Sequence, residues 1–302
     1  MYSNIKSKYI LGIIFDILQE GKKLEIIRHN KRLQNTFGIT LETYKNYKIV
    51  EIEIFVGKTY KLDKDIRLYF IKYNERDEPY FHIYFDDKPE EVKRNYIKWD
   101  EKVKKVKIII EGRVKSFLEL FYQCYYVKGI TIIKCNRKDL TKFTHMFYEC
   151  AELINLDISK LKTLNATNIN GMFRDCANLI NLDLSNISTV KVKDMSNLFK
   201  DCHKLRYLNL NSFDTSNVKH MTGMFYGCSD LEEIQLSNFV TRNVIDMEEM
   251  FYYCSKLRVL DISHFDFINV KTMKSMFLGI SEDLREIVRA QNKGLKSEAF
   301  IK

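Results

Sequence analysis

Six of the seven cysteines in this chain recur every 26 residues, at Cys124, Cys150, Cys176, Cys202, Cys228 and Cys254. A phenylalanine stands three residues before each of them, at Phe121, Phe147, Phe173, Phe199, Phe225 and Phe251. The phenylalanine register runs once more, to Phe277, where the cysteine slot holds Ile280. A fixed period of this length marks one supersecondary unit repeated along an axis. Such units contact only their neighbours and build long surfaces rather than closed pockets. The period therefore points towards binding and away from catalysis.

A second register follows each cysteine. Apolar residues fall at the third, sixth and eighth positions beyond it: Leu153, Leu156, Ile158; Leu179, Leu182, Leu184; Leu205, Leu208, Leu210; Leu231, Ile234, Leu236; Leu257, Leu260, Ile262. This L-x-x-L-x-L spacing is the core of a leucine-rich repeat. Its last pair alternates as a short strand facing a core on one side does. Leu161, Ile187, Phe213, Phe239 and Phe265 come next, then a polar turn, clearest as Asp214-Thr215-Ser216-Asn217. Val218, Met221, Met224 and Phe225 follow, and the same spacing recurs at Val244, Met247, Met250, Phe251 and at Val270, Met273, Met276, Phe277. It predicts a short helical or 3₁₀ turn packed on the strand of its own unit.

The cysteines read as a buried ladder of small apolar residues, since isoleucine can replace one at position 280. A metal site needs ligand pairs close in sequence, such as C-x-x-C, and the chain has none. Disulfides between adjacent units are geometrically conceivable at a spacing of about 5 Å, but a run of like positions suits stacking better. The methionine and phenylalanine columns read as core.

The run M-F-x-x-C-x-x-L-x-x-L-x-L-S-x-F-x-T-x-x-V-x-x-M-x-x-M-F is clearest from Met224 to Phe251 and from Met250 to Phe277. It resembles the BspA-like leucine-rich repeats, a family also met in mycoplasma-type surface proteins and in protists. The resemblance covers about residues 116–280. It departs at Ala166 and Ile169, where Val and Met are usual, and at the unit of Phe121, where Ile130 and Ile132 fill the leucine slots of an entry coil. It implies an α/β leucine-rich-repeat solenoid of short parallel strands and short helical turns, used for adhesion or protein binding. It implies no particular ligand, no cofactor and no catalytic residues.

With 302 residues, 45% of them hydrophobic, the chain can bury a full core. Its net charge of +9 lies wholly within residues 1–140. That excess reads as a solvated surface or, more sharply, as attraction to an acidic partner or membrane surface. No nucleic-acid-binding motif accompanies it. The run Tyr9-Ile10-Leu11-Gly12-Ile13-Ile14-Phe15 is followed by Asp16 and reads as an amphipathic helix rather than a signal peptide. No stretch reaches transmembrane length. Unpaired core cysteines suit a reducing compartment, so a cytoplasmic location is expected.

Residues 1–46 read as a helical module. Ser7 caps a helix carrying Ile10, Leu11, Ile14, Phe15 and Leu18, and Gly21 breaks it. A second helix carries Leu24, Ile27 and Leu33, with Arg28, Lys31 and Arg32 outward, and ends at Gly38; a third holds Leu41 and Tyr44. These segments faintly resemble an F-box, without its leading Leu-Pro or its closing tryptophan. An F-box implies docking to a Skp-type adaptor and a substrate receptor of a cullin-type ubiquitin ligase. The plainer reading is a cap over the first coil. Residues 47–111 are strand-rich. The segments 66–73 and 80–85 flank a turn at 74–79 and predict a hairpin, and 103–110 predicts a further strand. Trp99, the single tryptophan, is expected to anchor this sheet in a core. The sequence leaves open whether the sheet is independent or forms irregular first coils. Residues 112–280 hold the repeats, and 281–302, with Leu284, Ile287 and Val288, predict a closing helix.

The chain has no phosphate-binding glycine motif, and its six histidines share no metal-type spacing. The outward strand positions supply the candidate site instead. One column is Asp157, Asp183, Asn209, Gln235 and Asp261, beside Ser159, Ser185, Asn211, Ser237 and Ser263. It could hold a cation or a basic peptide, and its plain reading is a solvated or mutually hydrogen-bonded ladder. The neighbouring column, Asn155, Asn181, Tyr207, Glu233 and Val259, varies in type and would carry specificity, with Tyr207 the first candidate contact. The expectation is a non-enzymatic protein-binding module without metal or cofactor. The alternatives are a ubiquitin-ligase substrate receptor and a surface adhesin.

Overall fold

The structure, a computed structural model, describes residues 26, 30–37, 45–46, 48–57 and 66–301. A 26-residue period requires each unit to meet its neighbours through identical positions, and it does so. The rings of Phe121, Phe147, Phe173, Phe199, Phe225, Phe251 and Phe277 stack in one column, with centroids 5.4–5.7 Å apart and planes within 15°. Offset face stacking at this spacing is favourable beyond the area it buries. Parallel bridges link Lys142, Asn168, Asp194, His220, Asp246 and Thr272 in series, one from each coil.

The backbone of the Phe–Cys segment is not helical. Alternate N–H groups bond backwards within the coil, as Met146 to Phe143 and Cys150 to Phe147. Those between them bond to the next coil, as His145 to the Asn170 carbonyl, Phe147 to Met172 and Glu149 to Arg174. An α-helix bonds its N–H groups to its own turns, so it leaves none to bridge coils. The segment is instead a chain of tight turns. Two columns of residues take a left-handed backbone: Glu119, His145, Gly171, Asn197, Gly223, Glu249 and Ser275, then Gln123, Glu149, Asp175, Asp201, Gly227, Tyr253 and Gly279. They fall at the third position of their turns, which in type II turns requires positive φ. The expected short helical turns are therefore corrected to left-handed turns. The signal was the recurrence of Gly, Asn and Asp two residues either side of the phenylalanine.

Other recurring polar residues tie coil to coil. Thr163, Thr189, Thr215 and Thr241 are buried, and each hydroxyl both donates to a carbonyl and accepts an N–H of the next coil. Asn165, Asn217, Asn243 and Asn269 each donate to a carbonyl of the preceding coil. The cysteines are free and buried. From Cys150 to Cys254, each Sγ–H donates at 3.1–3.2 Å to the carbonyl of the phenylalanine one coil back. Burial pushes these thiols up, Cys150 to about 12.

The N-terminal strands and the first coils share one sheet. Strands β1 (Val50–Val56), β2 (Arg67–Tyr69), β3 (Phe81–Phe85), β4 (Glu91–Val92), β5 (Tyr96–Lys98), β6 (Lys105–Ile110), β7 (Val127–Cys135) and β8 (Asn155–Asp157) precede β9 (Tyr207–Asn209) and β10 (Glu233–Gln235). Six of them run in the order β4-β3-β6-β1-β7-β8, while β2-β5 and β9-β10 form separate pairs. Strand β7 is the joint: it runs antiparallel to β1 and parallel to β8. The question left open by the sequence is thus answered, because the first coil's strand is itself a member of the N-terminal sheet.

Two expectations fail in this region. The segments 66–73 and 80–85 do not form a hairpin: β2 pairs β5, whereas β3 lies between β4 and β6. Phe70 and Ile71 are buried in succession, so the alternation ends and the chain leaves the strand there. The hairpin is β3–β4, whose connection begins with Asp86 and Asp87 at positive φ, the type I′ signature. Trp99 is 38% exposed just beyond β5 and anchors no core.

Helix α1 (Lys31–Phe37) carries Leu33 of the expected second helix, and the Asn30 side chain accepts the Leu33 N–H as its cap, while Leu24, Ile27 and Arg28 lie outside the described residues. Leu33 is buried, with Lys31 and Arg32 exposed. The helix of residues 7–18, most of the F-box-like segment, and Gly38, Leu41 and Tyr44 lie outside the described residues. Helix α2 (Glu282–Gln291), capped by Ser281, closes the last coil with Leu284 and Val288, while Ile287 points outward. Beyond it residues 297–301 imitate a coil. Phe300 stacks on Phe277 at 5.4 Å, and the Glu298 and Ala299 carbonyls accept from Ser275 and Phe277. The Gln291 amide bonds the N–H of Ile262 and the carbonyl of Leu260, covering an edge that would otherwise invite pairing.

Candidate functional site

The L-x-L positions place the residues between and beside the leucines on the outer side of the coils, where short strands alternate. Asp157, Asp183, Asn209, Gln235 and Asp261 are all exposed there, as is Tyr207, 58% accessible; Glu233 is half-buried. Each aspartate or asparagine of the first column is held by its own coil. Its Oδ1 accepts the backbone N–H two residues on, at 2.9–3.0 Å: Asp157 from Ser159, Asp183 from Ser185, Asn209 from Asn211, Asp261 from Ser263. These are Asx turns, and they explain the recurrence of Asp or Asn without any ligand. The N–H bond holds the Asp183 and Asp261 carboxyls below their usual range. Gln235 departs from the pattern, its amide donating to Glu233 at 2.6 Å.

The structure brings five of the seven candidates together. Asp183, Tyr207, Asn209, Glu233 and Gln235 line one shallow depression of about 580 Å³, floored by Leu182, Leu184 and Leu208. Asp157 and Asp261 lie on coils outside it. The depression coincides with a lapse in the strand ladder. β8 pairs β7 and β9 pairs β10, but residues 180–183 of the coil between β8 and β9 belong to no strand. Among the described residues, their backbone makes no hydrogen bond to the coil on either side. The bridges through Asn168, Asp194 and His220 continue unbroken on the far side of the same coils. The lapse is therefore confined to the strand side, between β8 and the β9 strand that carries Tyr207. Sequence reasoning missed this lapse and the Ser212 hydroxyl, which donates to the Leu184 carbonyl at its edge. Asn181-Leu182-Asp183-Leu184 carries the same spacing as its paired neighbours, so no residue signalled it.

The depression holds two carboxylates, Asp183 and Glu233, and no lysine, arginine or histidine among its lining residues. Among the described residues no group of His, Cys, Asp and Glu is arranged to hold a metal ion. No helix among them is long and apolar enough to cross a membrane. The depression presents an aromatic ring, amides, hydroxyls, negative charge and, among the described residues, backbone groups without partners.

Neither the curated proteins nor the solved structures contain a match to the chain. A family model matches twice, over residues 115–209 and 193–288, with its second copy beginning inside the first as a short period allows. Together the two matches span more than half of the 302 residues, and the chain belongs to the family described as Mycoplasma protein of unknown function, DUF285.

Proposed function

We propose that the chain is a BspA-like leucine-rich-repeat solenoid that binds a protein partner through its strand face and carries no catalytic role. The observation behind this reading is the depression at Asp183, Tyr207, Asn209, Glu233 and Gln235, placed where the strand ladder lapses. Unpaired backbone groups lose free energy when covered by anything that cannot bond them, so the site favours an extended polypeptide over an apolar ligand. Its two uncompensated carboxylates favour a segment bearing Lys or Arg. Tyr207 offers a large amphipathic ring at the centre. The free, buried thiols fit a cytoplasmic setting.

The test is photo-crosslinking from position 207 in the native lysate, with position 274 on the turn side as control. A protein partner captured from 207 and not from 274 supports the reading, if unlabelled wild type competes and D183A/Y207A does not. Equal capture from both positions, or competition by the double variant as strong as by wild type, refutes it.

A further inference from the structure

A second cleft lies between the β2–β5 pair and the first coil, on the basic half of the chain. It measures about 500 Å³, and Arg67, Tyr69, Lys72, Asn95, Gln123 and Tyr125 are among the residues that line it. Several nearby cations are neutralised: Lys105 by Glu53 and Asp87, Lys107 by Glu51, Arg94 by Glu101. Arg67 and Lys72 are not. Among the described residues neither reaches a carboxylate, and each rests on a tyrosine ring instead. The Arg67 guanidinium lies 4.8 Å from the Tyr96 centroid, and the Lys72 ammonium 4.1 Å from that of Tyr122.

Ring contact holds each cation in place without cancelling its charge. The carboxylate of Glu149 borders the cleft and is held by two of its lining residues, accepting from Tyr125 at 2.6 Å and from Gln123 at 3.0 Å, and it forms no ion pair with Arg67 or Lys72. Among the described residues that line the cleft, Arg67 and Lys72 are cations without a carboxylate partner and none is an acid. The half-exposed rings of Tyr69 and Tyr125 stand beside them.

We propose that this cleft is a binding site for a small organic anion carrying a planar ring, an aromatic phosphate or carboxylate. The acid group bridges Arg67 and Lys72, and the ring packs on Tyr69 or Tyr125. The Arg67 fork matches the two oxygens of such a group, and its rigid donors favour that geometry over a point charge. This site is independent of the strand-face depression: none of its lining residues belongs to the other.

Calorimetric titration of the full chain with phenyl phosphate, adenosine monophosphate, adenosine and inorganic phosphate tests it. One or both ring-bearing phosphates bind saturably, at least tenfold more tightly than adenosine or inorganic phosphate. R67Q and K72Q each weaken that binding about tenfold or more, the worth of a charge-assisted contact. Y125A weakens the ring-bearing probes more than it weakens inorganic phosphate. Arg67 and Tyr125 are exposed and Lys72 is half-buried, and an unchanged melting temperature shows that the variants remain folded. Absence of saturable binding by both ring-bearing phosphates at millimolar concentration overturns the proposal. So does binding that R67Q and K72Q leave intact. Binding of a polyanion such as heparin alone, unaffected by Y125A, would reduce the cleft to a basic patch and overturn it equally.

Discussion

The two sides of each coil are built to different tolerances. On the turn side, bridges run without a break from Lys142 to Thr272, and stacked phenylalanines, buried threonines and cysteine thiols repeat the same bonds coil after coil. On the strand side the ladder is short, is interrupted at residues 180–183, and its outward column changes from Asn155 and Asn181 to Tyr207, Glu233 and Val259. Register is held by the turn side. The strand side is thereby freed from a structural duty, and its residues can differ without unseating the stack.

Four measurements would break or sharpen that contrast. The largest effect is expected from F199A, which empties a fully buried site stacked on Phe173 and Phe225. It should lose about 3–5 kcal/mol of stability in urea unfolding, the cost of a large cavity in a core that cannot collapse. A loss under 1 kcal/mol would show that the phenylalanine column does not set the register.

T215V comes next. It keeps the shape but strands the Val240 N–H and carbonyl, which the hydroxyl bonds at 2.7 and 3.1 Å. About 1–3 kcal/mol should be lost, as for unsatisfied buried backbone groups. An unchanged midpoint would mean that water reaches this column.

The third concerns pH. A buried thiol whose folded pKa lies above its unfolded value favours folding fully below the unfolded value and loses that contribution as pH rises towards the folded one. Above the unfolded value the folded state binds more protons, so stability falls with rising pH. With Cys150 raised from 9.0 to about 12, and its companions raised too, stability should decline between those limits. Iodoacetamide at pH 8 should label the native thiols only as fast as the protein unfolds. A flat stability profile from pH 9 to 11 would contradict the buried ladder.

The smallest stability changes are expected on the strand side. Y207A should alter stability by no more than about 0.5 kcal/mol, as exposed substitutions do. D183N should do the same, because an amide oxygen accepts the Ser185 N–H as a carboxylate does, and Asn209 already fills the equivalent position. Both should weaken partner binding about tenfold or more, the worth of one charged or aromatic anchor. Large thermal destabilisation by either would erase the distinction between the two sides.

The 26-residue spacing of Phe and Cys determined, by itself, which residues are core and that like positions meet. Periodicity reports burial, because each column must present the same face to its neighbour. The spacing did not distinguish a helical turn from a left-handed one, since both bring every third or fourth residue inward. Only the hydrogen bonds between coils decided it. The same limit hid the true partners of β2 and β3: alternation in a segment says that it is a strand and nothing about which strand lies beside it. Trp99 read as an anchor by residue type, yet its surroundings leave it exposed. The joint at β7, the lapse at residues 180–183 and the two uncompensated cations at Arg67 and Lys72 each depend on segments distant along the chain. What a residue contributes to its own coil was legible in the sequence. What it meets across the fold required the tertiary structure, because pairing is settled by the competition of all segments for the same edges and charges.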